Sequence, residues 1–355
     1  MIRSILNITI RNFFKHRLFS MINVTGLALG LSASILIGLY IYDEMIYDRH
    51  HPHADRIYRV TSYSDFGGVV EKSSSCPAPL APALQLEFAQ SVETFTRVFN
   101  DWGTEYRVEV EDKNPFGQAK VFRERRLYFA DSTFFGIFGA GFLAGDSVHS
   151  LQNPQSVVVT ASTARKLFGT TDVMGKKLKV DGFFPLTITG VVNDPPLQSH
   201  FHYDYVVSIR TLAMRHNGRL PQTWVWNPFW TYIRLSPNVD AAAFEKSFPA
   251  FVQKYFYDAE KNHITLGLQP LTSIHLHSAL DYEIEPNGKS SYVRILGYIA
   301  VFLLVIAIIN FMNLSTATSA GRAREVGVKK VFGASRSQLI GQFFFESVTM
   351  AFLAL

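Results

Sequence analysis

The side chains best able to do chemistry in this sequence are histidines. Of the eleven, His50, His51 and His53 cluster, while His200 with His202 and His275 with His277 form i, i+2 pairs. On a strand such a pair points to one face, as two metal ligands must. A zinc site also needs Cys, Asp or Glu converging at a known spacing, and the chain has neither Cys-x-x-Cys nor His-Glu-x-x-His. Surface or interface histidines are therefore expected. Gly288-Lys289-Ser290 has the form of the end of a phosphate-cradling loop, but Glu283 stands where that loop's first glycine belongs. Glu283 and Glu285 read as a solvated approach to the apolar segment that follows. No Gly-x-Ser-x-Gly elbow for acyl transfer is present. The expectation is a chain that is not an enzyme, with no catalytic, metal or cofactor-binding residues.

The most informative segment is basic: Arg322, Arg324, Glu325, Val326, Gly327, Lys329, Lys330, Gly333, Ala334 and Ser335, within a loop spanning 322–337, whose charges topology alone accounts for. Val326, Lys329, Lys330 and Gly333 follow helical spacing, and Gly333 suits a helix end. A short basic helix, joined tightly to what flanks it, is expected there.

The flanks are apolar. Residues 19–42 and 295–321 carry no charge, and each meets the roughly 20 residues of helix that a bilayer core of about 30 Å requires. The expected spans are 19–42 and 294–321. A third run, 338–355, is interrupted only by Glu346 and reads as the start of another span, incomplete where the sequence stops. Gly26, Gly30, Ser34 and Gly38 recur every four residues along one face of the first span, a spacing that lets a second helix approach closely. Asn310, Asn313, Ser315 and Ser319 suit interhelical hydrogen bonds in the second span. Ahead of the first span, residues 1–18 place Arg3, Asn7, Arg11 and Lys15 on one helical face, the pattern of an amphipathic helix in the membrane interface.

Charge sets the orientation. Arg3, Arg11, Lys15 and Arg17 precede the first span, and the basic loop follows the second, so both flanks are expected in the cytoplasm. Residues 43–293 then lie outside. The overall charge of +5 does not point to nucleic acid, because residues 43–293 hold 24 basic and 27 acidic residues, a net of −3. The lone Cys76 excludes an internal disulfide, so a core must hold this outer segment together.

The outer segment alternates strand-like and helix-like stretches. Strands are expected at 56–63, 92–99, 106–111, 120–129, 156–160, 176–180, 186–192, 203–209, 231–235 and 264–271. Helices are expected at 79–88, 161–168 and 241–256. The fold class is that of a membrane protein, with transmembrane α-helices and a large extracytoplasmic α+β domain of two lobes, the inserted lobe covering roughly residues 120–230.

The run Arg324-Glu325-Val326-Gly327-Val328-Lys329-Lys330-Val331-Phe332-Gly333-Ala334-Ser335 resembles the signature loop of FtsX-like and MacB-like ABC transporter permeases. Asp48-Arg49-His50 leading to Ile57-Tyr58-Arg59-Val60, and the block at 156–192, resemble the start and the inserted lobe of a MacB-like periplasmic core domain. The resemblance implies the permease subunit of a transporter in the inner (cytoplasmic) membrane, with its N-terminus cytoplasmic and its large domain periplasmic. It implies that residues 322–335 form a coupling helix against a cytoplasmic ABC ATPase on a separate chain, which holds the ATP and Mg. It further implies a homodimer or pseudo-dimer in the lipid bilayer, a periplasmic adaptor, and mechanical transmission serving efflux, with no nucleic-acid partner. The competing expectations are a membrane-anchored sensor with an extracytoplasmic ligand domain and, third, an extracellular enzyme.

Overall fold

The alternation of strands and helices between residues 56 and 271 resolves into one mixed sheet. The computed structural model describes residues 17–100, 105–113, 119–180, 185–320 and 323–355. The amphipathic helix expected over 1–18, except for Arg17 and Leu18, and Arg322 of the basic loop lie outside the described residues. The chain divides into two units, Ile46–Gly288 and a second made of Met1–Met45 with Lys289–Leu355.

The unit Ile46–Gly288 contributes thirteen strands among the described residues: β1 (Ile57–Phe66), β2 (Val69–Ser73), β3 (Val92–Phe99), β4 (Tyr106–Lys113), β5 (Ala119–Glu124), β6 (Leu127–Ala130), β7 (Phe142–Ala144), β8 (Ser156–Thr160), β9 (Lys177–Val180), β10 (Leu186–Val192), β11 (Tyr205–Ser208), β12 (Trp230–Leu235) and β13 (Ile264–Pro270). Their order is β13-β1-β12-β3-β6-β11-β8-β10-β9-β4-β5, with β2 on β1 and β7 on β10. Most neighbours are antiparallel, but β6–β11 and β8–β10 run parallel. The strands β6, β8 and β11 are buried along their whole length. This is why Ser156–Thr160 reads as a continuous apolar run rather than an alternating one.

Local signals set several boundaries. The Thr160 side chain accepts from the backbone of Thr163 to open the helix Ala161–Phe168, and Gly169 closes it at φ 77°. Two expectations need correction. The helix expected over 241–256 is two, Ala241–Glu245 and Phe248–Tyr255, because Pro249 sits in the first turn of the second and cannot donate back to Glu245. The single strand expected over 120–129 is split: β5 pairs with β4, whereas β6 pairs with β3 and β11.

Three apolar clusters fill the unit. One packs Val157, Val159, Leu167 and Ile188 under β8–β10. An aromatic one gathers Phe134, Phe138, Phe201, Trp230 and Tyr232. The third joins Leu80, Leu84 and Ile233 to Phe248 and Phe251.

The other unit is helical: Arg17–Met45, Ser290–Ala320, Ala323–Val331 and Arg336–Ala354. Within it, Ser20–Met45 and Ser290–Ala317 are long and apolar enough to cross a membrane, by length and composition.

Candidate functional site

The basic loop forms a tightly capped corner. Ala323–Val331 is helical and carries Arg324, Glu325, Val326, Gly327, Lys329 and Lys330. It ends in a Schellman arrangement: Gly333, at φ 86°, donates to the Lys330 carbonyl at 3.0 Å, and Ala334 donates to the Lys329 carbonyl at 3.0 Å. The next helix starts two residues later with a reciprocal capping box. Gln338 N donates to Ser335 Oγ at 3.3 Å, while Ser335 N donates to Gln338 Oε1 at 3.0 Å. Lys329 Nζ donates to Gln342 Oε1 at 3.0 Å and ties the two helices together across the corner. At the apex Val331 and Phe332, which follow Lys329 and Lys330 in the chain, are 85% and 87% exposed. Exposed apolar side chains next to basic residues suit an acidic protein surface with an apolar notch.

The small-residue stripe in the first long helix meets the second. A Cβ on Gly26 would fall 2.9 Å from Asn310 Nδ2, and one on Gly30 only 2.4 Å from Ala307 Cβ. Ser34 Oγ donates to the Ala300 carbonyl at 3.0 Å. Gly38 departs from the pattern, since a Cβ there meets nothing within 4 Å. Asn23 Nδ2 lies 3.4 Å from Ser315 Oγ, a hydrogen bond between the two helices.

Within Ile46–Gly288, sequence reasoning missed a buried polar network. Arg59 on β1 is fully buried. It donates to Glu283 at 2.5 and 2.8 Å, and also to Gln269 and Ser278. Glu285 meets His202, with Nδ1 and Oε2 2.8 Å apart. These two acids are thus half-buried ion-pair partners rather than a solvated approach. Asp48, also fully buried, accepts from the backbone of His200 at 3.1 Å and lies 2.8 Å from its Nδ1, while His200 Nε2 sits 2.8 Å from Tyr232 OH. His275 is buried and stacks on Tyr47 at 3.4 Å between centroids. The expectation of surface histidines is therefore corrected for His200 and His275. An arginine in the middle of the apolar run Ile57–Val60 was the available signal, but its partner lies 224 residues away.

The electrostatics follow from this packing. Burial pushes the Asp48 carboxyl up, but His200 and His51 outweigh it and hold it well below the usual carboxylate range. Burial, with the neighbouring charge of His51, lowers His50 to about 4. Burial pushes the Cys76 thiol up to about 12, so it is a core residue and not a nucleophile. Among the described residues no group of three or more His, Cys, Asp or Glu is placed to hold a metal ion.

Comparison with known proteins places this geometry. The family model for the MacB-like periplasmic core domain matches residues 20–251, and that for the C-terminal part of FtsX-like permeases matches residues 297–355. The macrolide export ATP-binding/permease protein MacB of Salmonella typhi is 25% identical over 224 residues, covering 61% of this chain and 31% of that protein. Its counterpart in Burkholderia cenocepacia is 27% identical over 202 residues, covering 56% and 27%. The chain thus matches about a third or less of the length of these relatives. A permease-protein domain from Porphyromonas gingivalis aligns with TM-score 0.50 at 24% identity, covering 66% of this chain and 96% of that one, which shows the fold. The periplasmic region of MacB from Actinobacillus actinomycetemcomitans aligns with TM-score 0.43 at 15% identity, covering 62% and 91%. The match over 297–355 does not favour the sensor alternative. With one family model spanning most of its length and a second covering its last helices, the chain belongs to the permeases that combine a MacB-like periplasmic core domain with an FtsX-like permease segment.

Proposed function

We propose that this chain is an inner-membrane subunit that converts ATP hydrolysis by a partnering ABC ATPase into movement of a periplasmic domain, in the service of export. Ser20–Met45 and Ser290–Ala317 would cross the bilayer, with the N-terminus and residues 322–337 in the cytoplasm and Ile46–Gly288 in the periplasm. Both long helices are apolar all round, and large side chains such as Leu36, Val301 and Phe302 are exposed. Lipid is the solvent that tolerates such surfaces. The outer unit is read as two lobes, one on β1, β12 and β13 and one on β8–β10 with β4 and β5. In the sheet they join where β3 meets β6, through Val98↔Ala130 and Phe99↔Phe129 among the described residues.

The observation that carries the reading is the doubly capped basic corner. Schellman and capping-box ends, with the Lys329–Gln342 bond, make the corner stiff, and a stiff corner passes displacement from its partner to the helix that follows. In this reading Arg322, Arg324, Lys329 and Lys330 are the ATPase-coupling residues, and a second permease unit and a periplasmic adaptor complete the assembly. The 355 residues contain no phosphate-binding loop of their own. In this reading catalysis, ATP and Mg belong to the ATPase. The relatives are named for macrolide export, and export by this chain is inferred from that likeness alone.

Co-purification with the candidate ATPase tests this directly. Replacing Arg324, Lys329 and Lys330 together with Gln should weaken both association and stimulation of ATP hydrolysis. Unchanged association and stimulation in that variant would overturn the coupling assignment.

A further inference from the structure

A cavity on the outer unit combines exposed aromatic rings with acidic side chains. It holds about 350 Å³ and is walled by Phe66 at the end of β1, Glu71 on β2, the stretch from Trp224 to Pro228 ahead of β12, Glu260 in the turn before β13, and Tyr282. The size falls at the low end of the range of about 300–1,000 Å³ typical of small-molecule sites. Two properties set its chemistry. The first is aromatic surface open to solvent: Trp226 and Tyr282 are 47% exposed and Phe66 45%. The second is acidity, because Glu71 and Glu260 both line the cavity.

Among the described residues the lining includes Glu71 and Glu260 but no lysine, arginine or histidine. His263 touches the rim through its contact with Phe66, and its Nδ1 is already 2.8 Å from the Asp65 carbonyl. Lys261, in the same turn as Glu260, is held by Asp258 at 2.6 Å. The potential at the mouth is therefore negative. A hard metal ion does not fit, since it wants six or more oxygen ligands and the walls are mostly apolar rings. A cation that carries N–H donors and an apolar body fits both properties. Its charge meets the ring faces, and its N–H meets the carboxylates.

We propose that this cavity binds a protonated organic amine, with the ammonium donating to the Glu260 and Glu71 carboxylates and the apolar body lying against Trp226 and Phe66. The site does not depend on the reading of the basic corner, because it concerns binding to the outer unit and needs no ATPase.

The test uses the full chain purified in a maltoside detergent, with binding followed by calorimetry and tryptophan fluorescence. Three probes of one shape separate the contributions: protonated N,N-dimethylbenzylamine (charge and an N–H), benzyltrimethylammonium (charge only) and benzyl alcohol (no charge). The expected order of affinity is the order given. Glu260→Gln should weaken the first probe about tenfold, equivalent to 1.4 kcal/mol. Trp226→Ala should weaken both cations, while Glu87→Gln, an acid outside the cavity, should leave them unchanged. Thermal melts matching the parent show that the variants are folded. Equal affinity for all three probes, or undiminished binding in Glu260→Gln and Trp226→Ala, would overturn the proposal.

Discussion

Arg59 and Glu283 form a two-pronged ion pair, NH1 to Oε2 at 2.5 Å and NH2 to Oε1 at 2.8 Å, with the arginine fully buried. Arg59 sits near the start of the outer unit and Glu283 near its end, so the pair fastens the segment leading to Ser290–Ala320 onto β1. Removing one partner of a buried pair strands the other charge, which costs about 3–5 kcal/mol. Glu283→Ala should therefore destabilise the outer unit strongly in denaturant melts. The double variant Arg59→Met with Glu283→Leu should be markedly less harmful than Glu283→Ala alone. If the double variant were the worse of the two, stranded charge would not be the cause.

His202 and Glu285 make stability depend on pH. Their hydrogen bond raises His202 above its ordinary 6.5, against burial. Burial pushes Glu285 up, but the hydrogen bond and charge of His202 outweigh it and hold it below its ordinary 4.5. A raised histidine contributes stability that is complete below 6.5 and lost as pH rises through its folded value. A lowered carboxyl contributes stability present above 4.5 and lost as pH falls through its folded value. The pair thus stabilises most between these two values. In His202→Gln the decline in stability between about pH 6 and pH 8 should be shallower than in the parent. Parallel profiles would mean that the pair carries no linkage.

Gly30 and Gly38 share one stripe but not one environment. A Cβ on Gly30 falls 2.4 Å from Ala307 Cβ, whereas on Gly38 it meets nothing within 4 Å. Gly30→Val should separate the two long helices and lower the melting temperature in detergent. Gly38→Ala should leave it unchanged or raise it slightly, because a helix gains about 0.5–1 kcal/mol when Ala replaces Gly. Equal effects at both positions would dissolve the distinction.

What the sequence revealed and what it hid differ in range. Val92–Phe99, Ser156–Thr160, Ala161–Phe168 and Leu186–Val192 have the bounds read from local patterns, because a strand run, an N-cap threonine or a C-terminal glycine acts on near neighbours. The helix end at Gly333 was legible for the same reason, whereas the capping box at Ser335 was not read from the sequence. The helices Phe134–Phe138 and Ile274–His277 are too short to show a period, and tertiary packing holds them. Glu283 was misread because nothing near it announces Arg59. The stripe at Gly26, Gly30 and Ser34 was visible, but only the facing helix shows that Gly38 is open.

Gly333 and Ser335 allow stiffness of the corner to be varied without touching its charges. At φ 86° Gly333 occupies a backbone region where a β-branched side chain is strained, and a Cβ there meets no neighbour within 4 Å. Gly333→Val should thus act through the backbone alone. Ser335→Ala removes the capping box at a cost of about 0.5–2 kcal/mol. Both variants keep Arg324, Lys329 and Lys330. If the corner transmits motion, each should still bind the ATPase with near-parent affinity but transport less per ATP hydrolysed. In reconstituted vesicles this appears as a lower ratio of substrate moved to phosphate released. If the ratio stays constant while binding falls, the caps serve docking and not transmission.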